Sequence, residues 1–167
     1  MYLPSLRQTN LCIVAISVIS MLFAFYFQYV QDLAPCPLCM TQRVFVVLAG
    51  LIALAAYIHN PQHVGLRIYA ALTAAAAVAG GFFSSRQLWL QSLPEDQVPA
   101  CGPPLEYIME NFPLLDALQV LMRGDGNCAE VTWQLFGFSM PAWVLLIFIT
   151  LALISLSQVV RSSLNAR

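Results

Sequence analysis

From Leu11 to Val30 the chain runs for about 20 residues without a charged side chain, a length that spans about 30 Å as an α-helix and crosses the hydrocarbon core of a bilayer. Three further stretches are also predominantly apolar: about 40–58 and 68–89, each with a single arginine (Arg43 and Arg86), and about 140–160, with no charge. Four crossings use about half of the 167 residues, and what remains is connecting loop, with outer loops at about 31–39 and 90–139 and no separate soluble domain. The chain therefore reads as a single membrane domain over 1–167. Its expected fold is an all-α integral membrane four-helix bundle whose long outer loop contains a short amphipathic helix.

Composition agrees. The chain is 60% hydrophobic and 9% charged, against the roughly 25% charged residues of a soluble domain. A net charge of -1 and the absence of lysine argue against a nucleic-acid partner, whose phosphates call for a clustered basic surface.

The first span ends in Phe25-Tyr26-Phe27-Gln28-Tyr29, unlike the small residues of a signal-peptide cleavage site, and is expected to remain in the mature protein. Leu33-Ala34-Pro35-Cys36 is superficially a lipoprotein cleavage box, but Pro35 hinders processing. The second span begins close to the cysteines because Pro35 and Pro37 belong at or before a first helical turn. The third continues past alanine-rich 68–83 to about Trp89, placing Arg86 at the interface with its stem in lipid and its head in water. The fourth starts with Pro141 at a helix N-terminus.

With the N-terminus inside, the cytoplasmic segments hold Arg7, Arg67, Arg161 and Arg167 and no acidic residue, and all eight acidic residues fall in the outer loops. The arginine bias sets this topology, with both termini cytoplasmic. Trp89, Trp143 and Tyr29 then fall near the outer interface. In the long outer loop, Leu105, Ile108, Met109 and Phe112 recur at helical spacing, and after Pro113 an apolar face resumes at Leu114, Leu115, Leu118, Leu121 and Met122. One or two short helices are expected, lying on the membrane surface or packed on the bundle.

Four of the five cysteines lie in the outer loops, where an oxidising compartment allows disulfides to persist. Cys12, in the first span, reads as a small apolar helix residue. The others divide into a close pair, Cys36 and Cys39, and a distant pair, Cys101 and Cys128. A Cys-x-x-Cys at a helix start suits thiol exchange, because the helix N-terminus stabilises an attacking thiolate. Two purely structural disulfides are an open alternative. A zinc site fits less well, since the second pair is 27 positions apart and no histidine lies outside; no metal is expected. Arg43, one helical turn beyond Cys39, can stabilise a thiolate there and attract an anionic or carbonyl ligand, or instead snorkel to headgroups. An apolar electron acceptor dissolved in the bilayer is within reach of this position.

His59 and His63 are separated by Pro61, which breaks the helix that a metal or haem pair needs. Gly124-Asp125-Gly126-Asn127 lacks the closing ligands of a calcium loop and reads as a tight turn presenting Cys128.

Pro35-Cys36-Pro37-Leu38-Cys39 followed by Gln42-Arg43, and Gly126-Asn127-Cys128-Ala129-Glu130 followed by Trp133, Gly137, Met140-Pro141 and Trp143, resemble the bacterial disulfide bond formation protein B family, DsbB, over nearly the whole chain. The resemblance implies an inner-membrane, quinone-coupled thiol oxidase serving periplasmic protein folding. It implies Cys36 and Cys39 as the quinone-facing pair, Cys101 and Cys128 as the pair facing a soluble DsbA-like partner, and Arg43 as the quinone-site arginine. The implied cofactor is a membrane quinone, ubiquinone or menaquinone. Some members carry a histidine after the third span where this chain has Ser92, which puts a histidine-assisted step in doubt. Two rival readings remain: a vitamin K epoxide reductase-like oxidoreductase, whose Cys-x-x-Cys belongs to a late helix, and a tetraspanin-like organiser held by structural disulfides.

Overall fold

The computed structural model describes residues 5–102, 107 and 113–164. Four long apolar helices run through it: α1 (Leu6–Tyr29), α2 (Pro37–His59), α3 (His63–Gln91) and α5 (Met140–Leu164), with a shorter α4 (Leu114–Arg123) in the long loop. Each long helix is long and apolar enough to cross a membrane. Leu22, 63% exposed, and the similarly open Phe23, Val44, Val78 and Leu153 form an apolar outer surface suited to lipid.

The helices extend beyond the expected apolar spans. α1 starts at Leu6 because Ser5 and Gln8 close a capping box: the Gln8 backbone N–H donates to Ser5 Oγ at 3.2 Å, and the Ser5 N–H donates to Gln8 Oε1 at 2.9 Å. α3 runs past both ends of the expected 68–89 span, since polar residues outside the hydrocarbon still carry helix. The α2–α3 connection is tight, with Asn60 in the left-handed region closing α2. His59 Nδ1 lies 3.1 Å from the Tyr69 hydroxyl at this turn.

Packing relies on small residues. α2 lies against α1 and α3, and α3 against α5, around Ile13, Val46, Ala49, Ala53, Ala76, Ala77, Phe148 and Leu151. Two glycines permit the closest approaches: a Cβ on Gly50 would fall 2.8 Å from Ser17 Cβ, and one on Gly80 2.2 Å from the Phe148 ring. Toward the end that carries Arg7, Arg67 and Arg161, buried polar side chains pair across the helices. Gln158 Nε2 donates to Asn10 Oδ1 at 3.0 Å, and Arg67 donates to the Ser162 carbonyl at 3.0 Å.

At the opposite end the long loop folds back on the bundle. The second apolar stripe forms α4 as expected, while the first, at Leu105 to Phe112, lies outside the described residues. α4 packs against α2, and its last turn is tied down by two side chains. Thr41 Oγ1 donates to the Leu121 carbonyl at 2.8 Å, and Arg86 Nε to the Arg123 carbonyl at 2.9 Å. Arg86 thus spends part of its guanidinium on the loop, a partner the interface placement did not anticipate. Before α5 the chain makes a small hairpin that sequence pattern did not suggest: β1 (Gln134–Leu135) pairs antiparallel with β2 (Phe138–Ser139). Its turn puts Phe136 and Gly137 both at positive φ, 54° and 80°, the geometry that matches strand twist.

Candidate active site

Pro37 starts α2 because its fixed φ suits a first helical position and its missing N–H is not needed there. Cys36 is consequently the N-cap, in extended backbone, and its sulfur accepts the backbone N–H of Cys39 at 3.4 Å. The Cys36 thiol donates to Cys39 Sγ at 2.8 Å. All five cysteines are free thiols.

Leu38, fully buried, provides the seat for the second loop. Together with Phe83 and Leu90 it surrounds Cys128, whose exposure is 0%, and Cys36 packs against the same cluster. Gly124, at φ +73°, lies over Leu38: a Cβ there would fall 2.7 Å from Leu38 Cδ1 and 3.4 Å from Cys128 Sγ. The Gly126–Cys128 segment is a single 3₁₀ turn capped by Asp125, whose carboxylate accepts the N–H groups of Asn127 at 3.1 Å and Gly102 at 3.2 Å. The tight turn is therefore present, but it buries Cys128 against the helix rather than presenting it to water. Asp125 also ties the Cys101 segment to the same turn, and Cys101 itself is exposed beside Gly126.

The contacts polarise the two loop-facing sulfurs in opposite senses. Hydrogen bonding to Cys128, then to Cys39, together with burial, pushes the Cys36 thiol well above its ordinary range. The same hydrogen bond from Cys36 holds Cys128 below its ordinary value, aided by backbone N–H groups of Leu38 and Asp125 and opposed by burial. Cys128 is thus the better nucleophile of the two, and Cys36 the sulfur it faces.

Arg43 is near this cluster but turned toward α1. Its guanidinium donates to Gln28 Oε1 and to the Ala24 carbonyl at 3.1 Å, and sits 6.0 Å from the Phe25 ring centre. It hydrogen-bonds neither sulfur, although its charge acts on Cys39 through space. Ser92 caps the end of α3, donating to the Trp89 carbonyl at 2.7 Å, and so does not enter the cluster. Two residues without an assigned role do. Gln87 Nε2 lies 3.3 Å from Cys36 Sγ and 3.4 Å from Cys39 Sγ, and Gln42 Nε2 donates to Gln87 Oε1 at 2.7 Å. A polar side chain inside a span is itself a signal of function, but Gln42 stood in a motif read for its neighbours, and Gln87 stood unremarked beside Arg86.

The family model described as "Disulfide bond formation protein DsbB" matches residues 6–158. The chain belongs to the DsbB family. It is 51% identical to the disulfide bond formation protein B of Saccharophagus degradans over 96% of this chain and 97% of that one. It is 55% identical to the protein of the same name from Hahella chejuensis, covering 83% and 84%, and 46% identical to that of Methylococcus capsulatus, covering 95% and 96%. DsbB proteins in general reoxidise DsbA and pass the electrons to quinone. The chain is accordingly a multi-pass membrane protein with a disulfide-forming oxidoreductase function, and the tetraspanin-like and vitamin K epoxide reductase-like readings are left without support.

Proposed function

We propose that this chain is a protein-dithiol:quinone oxidoreductase of the bacterial inner membrane, acting as one membrane unit with both termini cytoplasmic. The observation that carries the reading is the position of Cys36, whose thiol donates to Cys39 Sγ and whose side chain packs against the cluster around Cys128, so that one residue joins its own pair to a member of the other. On this reading the thiolate of a DsbA-like partner attacks the exposed Cys101 of a Cys101–Cys128 disulfide, and Cys128 leaves as a thiolate. Cys128 then attacks Cys36 of the Cys36–Cys39 disulfide, and Cys39 is released as a thiolate; the partner's second thiol displaces Cys101, which recaptures Cys128 and releases Cys36 as a thiolate.

The residues around Cys39 fit a lipid-dissolved quinone. Val44 and Val47 are exposed on the outer surface of α2 one to two turns beyond Cys39, Phe25 is exposed on α1, and Arg43 between them offers a hydrogen-bond donor to a carbonyl oxygen. When bound there, quinone supplies the two-electron acceptor that returns Cys36 and Cys39 to the disulfide. The chain's own part is to hold Cys39 at that surface and keep a fixed positive charge beside it. The proposed orientation is supported by Arg7, Arg67 and Arg161, which lie toward the end of the bundle away from Cys36, Cys39, Cys101 and Cys128.

The test follows quinone reduction by the purified protein on adding a reduced DsbA-like protein, with Cys128→Ser as the diagnostic variant. Wild type should reduce quinone, and the variant, mixed instead with the oxidised partner so that the unpaired Cys101 thiolate attacks its disulfide and frees one partner thiol, should accumulate a partner adduct at Cys101 on non-reducing gels. An adduct through Cys36 or Cys39 would reverse the assignment of the pairs.

A further inference from the structure

The Gln42–Gln87 pair has no part in the route above, yet it is the most buried polar contact at the thiols: each side chain is only 3% exposed. A buried side-chain amide holds its place by satisfying its own donors and acceptor. Gln87 does this with the sulfurs. Its Nε2 carries two hydrogens and has two acceptors in reach, Cys36 Sγ at 3.3 Å and Cys39 Sγ at 3.4 Å. Its Oε1 accepts from Gln42 Nε2 at 2.7 Å and lies farther, 3.7 Å, from Cys39 Sγ, so the donor end is the nearer of the two to both thiols. A leucine pair would close the α2–α3 contact as well, without a donor aimed at each sulfur.

We propose that Gln87 is a catalytic residue of the Cys128-to-Cys36 exchange, donating to the departing Cys39 thiolate, with Gln42 as the positioning residue that fixes its amide. This rests on the assignment of Cys36 and Cys39 as a redox pair. In the step concerned the Cys128–Cys36 bond forms and the Cys36–Cys39 bond breaks. The electron pair of the broken bond leaves on Cys39 Sγ, and the negative charge that began on Cys128 ends there. No proton or further oxidant is required. Charge developing on a sulfur in a water-poor site is stabilised by a donor already in place, as an oxyanion is by preorganised N–H groups. A better-stabilised leaving thiolate also leaves faster. The second Nε2 hydrogen is available to Cys36 Sγ, 3.3 Å away.

The experiment uses the full-length protein in lipid nanodiscs, reduced and free of quinone. It measures the rate of iodoacetamide modification at Cys39 relative to Cys101 in the same sample, and the equilibrium of Cys36–Cys39 against a glutathione redox buffer. Gln87→Leu should slow Cys39 modification about tenfold relative to Cys101 and shift the thiol–disulfide equilibrium about tenfold toward the disulfide, about 30 mV for a two-electron couple. Gln87→Asn, which keeps the amide but withdraws it by one methylene, should behave the same way, and Gln42→Leu should give a smaller shift in the same direction. A purely packing role lowers the melting temperature and leaves both ratios unchanged. Wild-type ratios in Gln87→Asn and Gln42→Leu, the variants least disruptive to folding, overturn the proposal. If wild-type Cys36–Cys39 fails to equilibrate with the buffer at all, it is the redox assignment of the pair that falls.

Discussion

Gly124→Ala should undock the Cys128 turn while leaving the membrane bundle intact. Two costs meet at this position. Gly124 stands at φ +73° and ψ 165°, a region essentially reserved for glycine, where an L side chain costs about 1–3 kcal/mol. The new Cβ would also lie 2.7 Å from Leu38 Cδ1, and overpacking of a fixed neighbour costs about 1–3 kcal/mol. Leu38 cannot yield easily, because it is fully buried in the first turn of α2 under Phe83 and Leu90. Even the low end, about 2 kcal/mol, lowers the docked population of the loop about 30-fold. A suitable assay uses Cys39→Ser and Cys101→Ser together, so that Cys36 and Cys128 are the only outer cysteines left to pair. Titration with reduced and oxidised glutathione then gives the effective concentration of one thiol at the other. Gly124→Ala in this background should lower that value about 30-fold, with the melting temperature of the bundle nearly unchanged. An unchanged effective concentration would refute the idea that Leu38 and the Gly124 turn together seat Cys128 against Cys36.

Cys36→Ala removes the donor that holds the Cys128 thiol below its ordinary value and leaves the opposing burial in place, so Cys128 should be modified more slowly at neutral pH, as mass-resolved alkylation would show. Arg43→Leu should raise the quinone KM, slow turnover, or both, while single-turnover exchange at Cys101 and Cys128 stays normal; unchanged quinone kinetics would reduce Arg43 to a clamp on α1. Arg43→Lys should recover only part of the loss, because a point charge cannot hold both Gln28 and the Ala24 carbonyl as the planar fork does. A membrane-impermeant thiol reagent applied to reduced spheroplasts should label the outer cysteines and spare Cys12, and outside labelling of Cys12 would overturn the orientation.

The membrane helices were legible because a long apolar run with at most one arginine has few alternatives in a chain this apolar, but their ends were not. Hydropathy stops where the hydrocarbon stops, whereas α1 begins at a capping box and α3 continues into polar residues at both ends. The hairpin escaped notice because Phe136 occupies a positive φ that favours glycine or asparagine, so the usual turn signal is missing at that position. The sulfur pairs stood out through spacing alone. Their surroundings did not, since the seat of Cys128 is made by Leu38 and Phe83, distant in sequence, and nothing in Pro37-Leu38 distinguishes a filler between two cysteines from a docking surface. Gln87 was hidden for the same reason: its contact to Cys39 joins α3 to α2 across 48 positions.

The order of exposure along the proposed route explains why four cysteines are arranged over two loops and one helix start. A soluble partner can approach only an exposed sulfur, which Cys101 is, while an acceptor dissolved in lipid is reached only from the side of α2, where Cys39 stands. Between these two media the charge has to pass through protein, and a disulfide exchange needs its sulfurs at bonding distance. One rigid dithiol cannot face both media at once. The chain divides the task, with Cys128 on a loop segment held by Asp125, Thr41 and Arg86, and Cys36 fixed by the helix start. Leu38 then has a double use, because the residue that spaces Cys36 from Cys39 is also the surface on which the Cys128 turn rests. Changing either cysteine spacing or loop docking therefore perturbs the same contact, which is why loop substitutions at Gly124 should register in the chemistry of Cys36 without touching the four membrane helices.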